Sequence, residues 1–77
     1  MAIEVRYFAS LRERMGRAED RLAADRAATV SAVWRQVSGD SAVPTHILCA
    51  VNMQYVDPET PVKDGDEVAF FPPVTGG

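Results

Sequence analysis

Only one segment of this chain reads as a helix long enough to cover a sheet. In residues 29–39, TVSAVWRQVSG, the residues Val30, Val33, Trp34 and Val37 fall at i, i+3, i+4 and i+7, the apolar stripe of a one-sided helix. Thr29 is the expected N-cap and Gly39 the expected stop. Valines are only moderate helix formers, so this helix depends on tertiary packing, with the single Trp as its anchor. The other apolar segments are short and strand-like. The economical packing for so few elements is a sheet with one principal helix laid across it, an α+β domain.

The strands follow from alternation. In residues 2–8, AIEVRYF, Ile3, Val5 and Tyr7 point one way while Glu4 and Arg6 point the other, and Phe8 is a second core contact or an exposed aromatic. Next, SLRERMG predicts a short helix. Ser10 and Glu13 have capping-box spacing, Leu11 and Met15 share a face, and Gly16 suits a left-handed stop. Residues 18–24, AEDRLAA, read as a charged edge strand. HILCAVN reads as a buried, nearly continuous apolar strand. In residues 57–67, Asp57-Pro58 and Asp64-Gly65 mark turns. Val68 to Phe71 form the last strand, which Pro72 ends because proline cannot donate to a ladder. The layout is compatible with a β-grasp, a mixed sheet of four or five strands. The boundaries expected are a domain over 1–71 and a flexible Gly-Gly tail over 72–77.

Composition excludes several function classes. Net charge is −3 and the arginines are interleaved with acids, which argues against nucleic acid, since phosphate neutralisation needs clustered Lys and Arg. One cysteine permits neither an internal disulfide nor a cysteine metal cluster. No run approaches the ~20 apolar residues of a membrane helix, and no signal-peptide pattern is present, so a cytoplasmic protein with no membrane partner is expected. His46 is the sole histidine and has no acidic neighbour in sequence. Cys49 sits within ILCAV with no basic residue near it to lower its pKa. The glycines ahead of the tail are isolated. These residues offer no catalytic set, no metal site and no bound cofactor, so catalysis by the chain alone is not expected.

Chemistry is therefore sought in the last residues, AFFPPVTGG. Pro72 and Pro73 stiffen the exit from the sheet, and six residues extended reach on the order of 20 Å. Val74 and Thr75 are the side chains that can grip a partner. Gly76 and Gly77 lack Cβ and can thread a narrow channel. The physical reading is a carboxylate delivered into another protein's active site. Phe70 and Phe71 alternate, so Phe71 is expected outward, as an interface anchor.

DGDEVAFFPPVTGG, residues 64–77, resembles the C-terminus of the molybdopterin synthase small subunits, a sulfur-carrier family with the ubiquitin-like β-grasp fold. VRYFASLRE, residues 5–13, resembles the family's first strand and following turn, and Ala50-Val51-Asn52 and Thr60-Pro61 are similar to it as well. The resemblance implies the following chemistry. An E1-like enzyme uses ATP to adenylate the Gly77 carboxylate, and a sulfur donor protein supplies the sulfur that turns it into a thiocarboxylate. The tail then enters the large subunit of molybdopterin synthase and donates sulfur to a pterin precursor in molybdenum cofactor biosynthesis. Gly77 would carry the sulfur and Gly76 would give it clearance. Phe71, Phe8 and Arg12 match family positions near the large-subunit interface, and Tyr55 falls where the family often has an aliphatic contact. The complex would be a hetero-oligomer. Two alternatives share the Gly-Gly chemistry: a sulfur carrier for thiamin or tRNA thiolation, and a ubiquitin-like protein modifier that forms isopeptide bonds to lysines.

Overall fold

The computed structural model describes residues 2–72, so the expectations for Pro73, Val74, Thr75, Gly76 and Gly77 lie outside the described residues. The elements in chain order are β1 (Ala2–Tyr7), α1 (Ser10–Met15), β2 (Glu19–Ala23), α2 (Val30–Ser38), β3 (Leu48–Val51), β4 (Gln54–Val56) and β5 (Glu67–Phe71). The sheet runs in the order β2-β1-β5-β3-β4. Its central pair, β1 and β5, is parallel, with Glu4 opposite Glu67 and Tyr7 opposite Phe70. The other pairs are antiparallel. A mixed five-stranded sheet with one main helix is the ubiquitin-like β-grasp.

Alternation in β1 buries Ile3, Val5 and Tyr7 on the face that α2 covers. The stripe on α2 meets them there: Val30, Val33 and Trp34 are fully buried, and Val37 packs at the margin. Trp34 stands edge-on to Phe70, with ring centroids 4.8 Å apart. The helix is fixed at both ends by local chemistry. Thr29 Oγ1 accepts from the Ala32 N–H at 3.1 Å, as a Thr N-cap should. The carbonyls of Thr60 and Pro58 accept from the Val30 and Ser31 N–H groups, at 3.0 and 2.8 Å. Three of the free donors at the helix start are thereby satisfied, two of them by the turn after Asp57. Gly39 ends the helix at φ 80.

Arg17 ties the two helix ends to the sheet. Its guanidinium donates to the Met15 and Val37 carbonyls at 3.1 and 2.9 Å, pairs with Asp20, and lies 5.7 Å from the Tyr7 ring centroid. Tyr7 in turn donates its hydroxyl to Asp20 at 2.8 Å. Burial, together with the neighbouring Asp20 carboxylate, raises the Tyr7 phenol above its ordinary range.

Two expectations need correction. The capping box of Ser10 and Glu13 does not form: Ser10 is already helical, and the N-cap is Ala9, with no side-chain cap. Ala9 takes φ 54 to turn the chain out of β1, and the carbonyls of Phe8 and Ala9 accept from Leu11 and Arg12 instead. HILCAVN is not buried throughout, because Leu48 lies on the uncovered face and is 37% exposed. A further strand, β4, pairs with β3 through a hairpin at Asn52-Met53, both at positive φ. That is the geometry of a two-residue hairpin turn, reached here without the glycine that usually marks it.

Candidate functional site

The uncovered face of the sheet is divided in two. On the β2 side it is charged, and Arg6 bridges Glu67 at 2.9 Å and Glu19 at 4.0 Å, while Arg21 pairs with Glu4 at 3.4 Å. On the β3–β4 side it is apolar. Registry sets Leu48 opposite Phe71, Ala50 opposite Ala69 and Tyr55 opposite Ala50, so these side chains share one face. Phe8 closes the row where β1 ends, its N–H bonded to the Phe70 carbonyl at 3.2 Å. Phe8 stacks on Phe71 with centroids 4.8 Å apart and planes within 10°. Tyr55 leans on Phe71 from the other side at 5.8 Å.

Phe8, Met53 and Tyr55 are 37, 90 and 70% exposed, and together with Phe71 they line a shallow groove of about 300 Å³. Clustered exposed aromatics on a small domain make this face the candidate interaction surface. Phe71 is its middle, and Pro72 follows it directly. The tail therefore leaves the sheet from the apolar patch itself. Phe70, the preceding residue, is fully buried, so the two phenylalanines split between core and surface as their alternation predicts.

The remaining candidates fall as follows. Arg12 is exposed on α1, one turn beyond Phe8, and has no ion pair among the described residues. His46 is exposed in the turn before β3. Cys49 is buried, and desolvation, then the Asp57 charge, pushes its thiol up to about 11, which makes it a small apolar side chain rather than a nucleophile. No helix among the described residues is long and apolar enough to cross a membrane. Sequence reasoning missed Leu48 and Met53. The signal for Leu48 was an apolar run longer than one sheet face can bury; Met53, in the turn after Asn52, had none.

It also missed the clamp that holds the β3–β4 hairpin on β5. Asp66 is buried, and accepts from Asn52 Nδ2 at 3.0 Å and from the Lys63 N–H at 2.9 Å. Asn52 Oδ1 accepts from the Glu67 N–H at 3.0 Å. The Asn52 amide, then the Lys63 N–H, hold the Asp66 carboxyl below the usual carboxylate range, against the opposing effect of burial. A lowered folded-state pKa contributes stability that is present above the ordinary Asp value, about 4. That stability is lost as pH falls through the lower folded value. Urea unfolding as a function of pH should show the wild type losing stability in this acid window. Asp66→Asn should be weaker at neutral pH and lack that part of the slope; equal slopes would remove Asp66 as its source.

Comparison with known proteins decides the family. Residues 5–77 match the ThiS family, a span that takes in both the aromatic patch and the tail. The chain belongs to the ThiS family. Among curated relatives it is similar to the molybdopterin synthase sulfur carrier subunit of Escherichia coli (strain K12), 42% identical over 97% of this chain and 99% of that one. Among solved structures it is similar to SAMP1 from Haloferax volcanii, with TM-score 0.83 and 29% identity over the whole of both chains. It is also similar to a chain in the protein–protein complex of subunits 1 and 2 of the molybdopterin-converting factor from Helicobacter pylori 26695, with TM-score 0.67 and 25% identity over both full chains. The ThiS-family match thus spans the described fold from residue 5 onward, including the face on which Phe8, Phe71 and Tyr55 meet.

Proposed function

We propose that this chain is the sulfur-carrier subunit of a cytoplasmic molybdopterin synthase. The observation that carries the reading is the near full-length similarity to a sulfur carrier subunit of that synthase. The position of the aromatic patch at the root of the Gly-Gly tail supports it. In this reading the Gly77 carboxylate attacks ATP in the site of an E1-like enzyme, giving an acyl-adenylate and pyrophosphate. Sulfide-level sulfur delivered by a donor protein displaces AMP and leaves a thiocarboxylate. The Phe8–Phe71–Tyr55 face docks on the large subunit, with Arg12 at its rim. Pro72 and Pro73 direct the tail, Val74 and Thr75 grip its channel, and Gly76 and Gly77 pass where side chains would clash. The thiocarboxylate sulfur adds to an electrophilic carbon of the pterin precursor, an oxygen leaving group departs from that carbon, and water cleaves the acyl–sulfur bond, returning the Gly77 carboxylate and leaving the sulfur on the product. Every step occurs in a partner's pocket, so the carrier supplies a nucleophile and an address.

The test is reconstitution. Chain carrying a thiocarboxylate at Gly77, mixed with the purified large subunit and the pterin precursor, should form the dithiolene product in proportion to carrier consumed. Binding without product would place the sulfur in another pathway, such as thiamin or tRNA thiolation. A second reading, a protein modifier, is favoured by the match to SAMP1. It shares the activation and differs in the acceptor, and lysine-linked adducts of the chain would identify it.

A further inference from the structure

The hairpin between β3 and β4 holds its second turn residue in a conformation that suits it poorly. Val51 pairs with Gln54, so Asn52 and Met53 make the turn, at φ 50 and φ 70. Asparagine and glycine adopt such angles with least strain. Asn52 fits, and three hydrogen bonds lock it. Its N–H donates to the Glu67 carbonyl at 2.8 Å, its Oδ1 accepts from the Glu67 N–H at 3.0 Å, and its Nδ2 donates to Asp66 Oδ1 at 3.0 Å. Met53 carries a long side chain at a left-handed position, and that side chain is 90% exposed. No packing within the domain offsets the strain.

Met53 is nevertheless well placed. It lines the same groove of about 300 Å³ as Phe8, Tyr55 and Phe71. The bonds of Asn52 fix the turn against β5, so the groove keeps this apolar rim in a defined position. Strain left unrelieved beside the candidate interaction surface marks a functional position. The thioether also has a chemistry of its own, since two-electron oxidants convert it to a polar sulfoxide. Of the two methionines among the described residues, Met15 packs against the core, so exposure singles out Met53.

We infer that Met53 is an oxidation-sensitive contact of the docking face: the large subunit buries it as a thioether, and its sulfoxide lowers the carrier's affinity for that partner. The inference rests on the sulfur-carrier reading and adds a modification site to it. The oxidant is a hydroperoxide. With hydrogen peroxide, the thioether sulfur attacks one oxygen, an S–O bond forms as the O–O bond breaks, and the other oxygen leaves as water. Sulfur loses two electrons and the peroxide gains them. The new S–O group must shed its water to enter an apolar contact, which opposes docking. A thiol-dependent sulfoxide reductase reverses the change, two thiols becoming a disulfide while the oxygen leaves as water. The site is open in the free chain and covered in the complex, so oxidation acts on carrier that is not engaged.

The test uses the full chain and the purified large subunit. Chain treated with hydrogen peroxide until peptide mapping shows Met53 sulfoxide should bind about tenfold more weakly than reduced chain by titration calorimetry. Methionine sulfoxide reductases A and B should restore the affinity. Met53→Leu stays apolar and forms no sulfoxide, so its affinity should be the same before and after peroxide. Met53→Gly relieves the strain at φ 70 and should weaken docking without lowering the melting temperature. In the complex, Met53 should oxidise several-fold more slowly than in the free chain. Equal affinity of sulfoxide and reduced chains, an equal loss in peroxide-treated Met53→Leu, or unslowed oxidation in the complex would overturn the inference and leave the carrier reading intact. Failure of the reduced wild type to bind the large subunit would overturn that reading, and the inference with it.

Discussion

Deleting Gly77, or converting its carboxylate to an amide, abolishes sulfur transfer and leaves the melting temperature unchanged. Removing one residue draws the terminus back by about 3.5 Å. Reacting atoms must meet within roughly 3–3.5 Å, and a displacement of about 1 Å already costs on the order of a hundredfold, so both adenylation and transfer should fall below detection. The amide keeps the length and removes the nucleophilic oxygen, which separates reach from chemistry. Stability should not move, because the buried core lies between Ile3 and Phe70. Sulfur transfer is read by thiocarboxylate formation, and the fold by thermal unfolding. Retained transfer in either variant would remove Gly77 from the reaction.

Phe71→Ala weakens binding to the large subunit by about 30-fold, the equivalent of a 2 kcal/mol hot spot, while costing the free domain about 1 kcal/mol. The asymmetry follows from where the ring sits. Phe71 is half-buried on the uncovered face, between Phe8 and Tyr55, and takes no part in the core that Trp34 and Phe70 form beneath it. In the free chain its loss forfeits two aromatic contacts. In a complex it removes the centre of the patch and misaligns the tail that begins one residue later. Titration calorimetry and urea unfolding measure the two costs on the same variant. A loss of several kcal/mol in stability with unchanged affinity would make Phe71 a core residue and the patch a bystander.

Where sequence reasoning succeeded, the signal was local. The 3.6-residue stripe of α2 lies between a Thr that caps and a Gly that stops, and both do so in the structure. The charges of β2 mark it as an edge, and it is one. Where reasoning failed, the deciding contact was distant or the conformation atypical. Ser10 looked like a cap because its neighbours fit the pattern, but Ala9 makes the turn. The β3–β4 hairpin turns on Asn52 and Met53, neither a glycine, with the Asn52 amide held by Asp66 and Glu67 far along the chain. Such a polar link leaves no periodic trace.

The candidate site divided the same way. Phe71 was legible from its alternation with Phe70. The rest of the patch was not, because it depends on registry between β3, β4 and β5 that is set by long-range pairing. Leu48 is the instructive case. A continuous apolar run suggests a strand covered on both sides, yet here it belongs to a sheet with one face left open. The excess apolar residues are the surface.

The central claim is that Gly77 carries sulfur as a thiocarboxylate. The most direct test is the intact mass of this chain after incubation with its E1-like enzyme, ATP and a sulfur donor. The account predicts a mass gain equal to replacement of one oxygen by sulfur, mapped to Gly77 and lost on hydrolysis. An unchanged mass, with an enzyme that demonstrably adenylates the chain, would contradict it and leave the tail as a handle for attachment to other proteins.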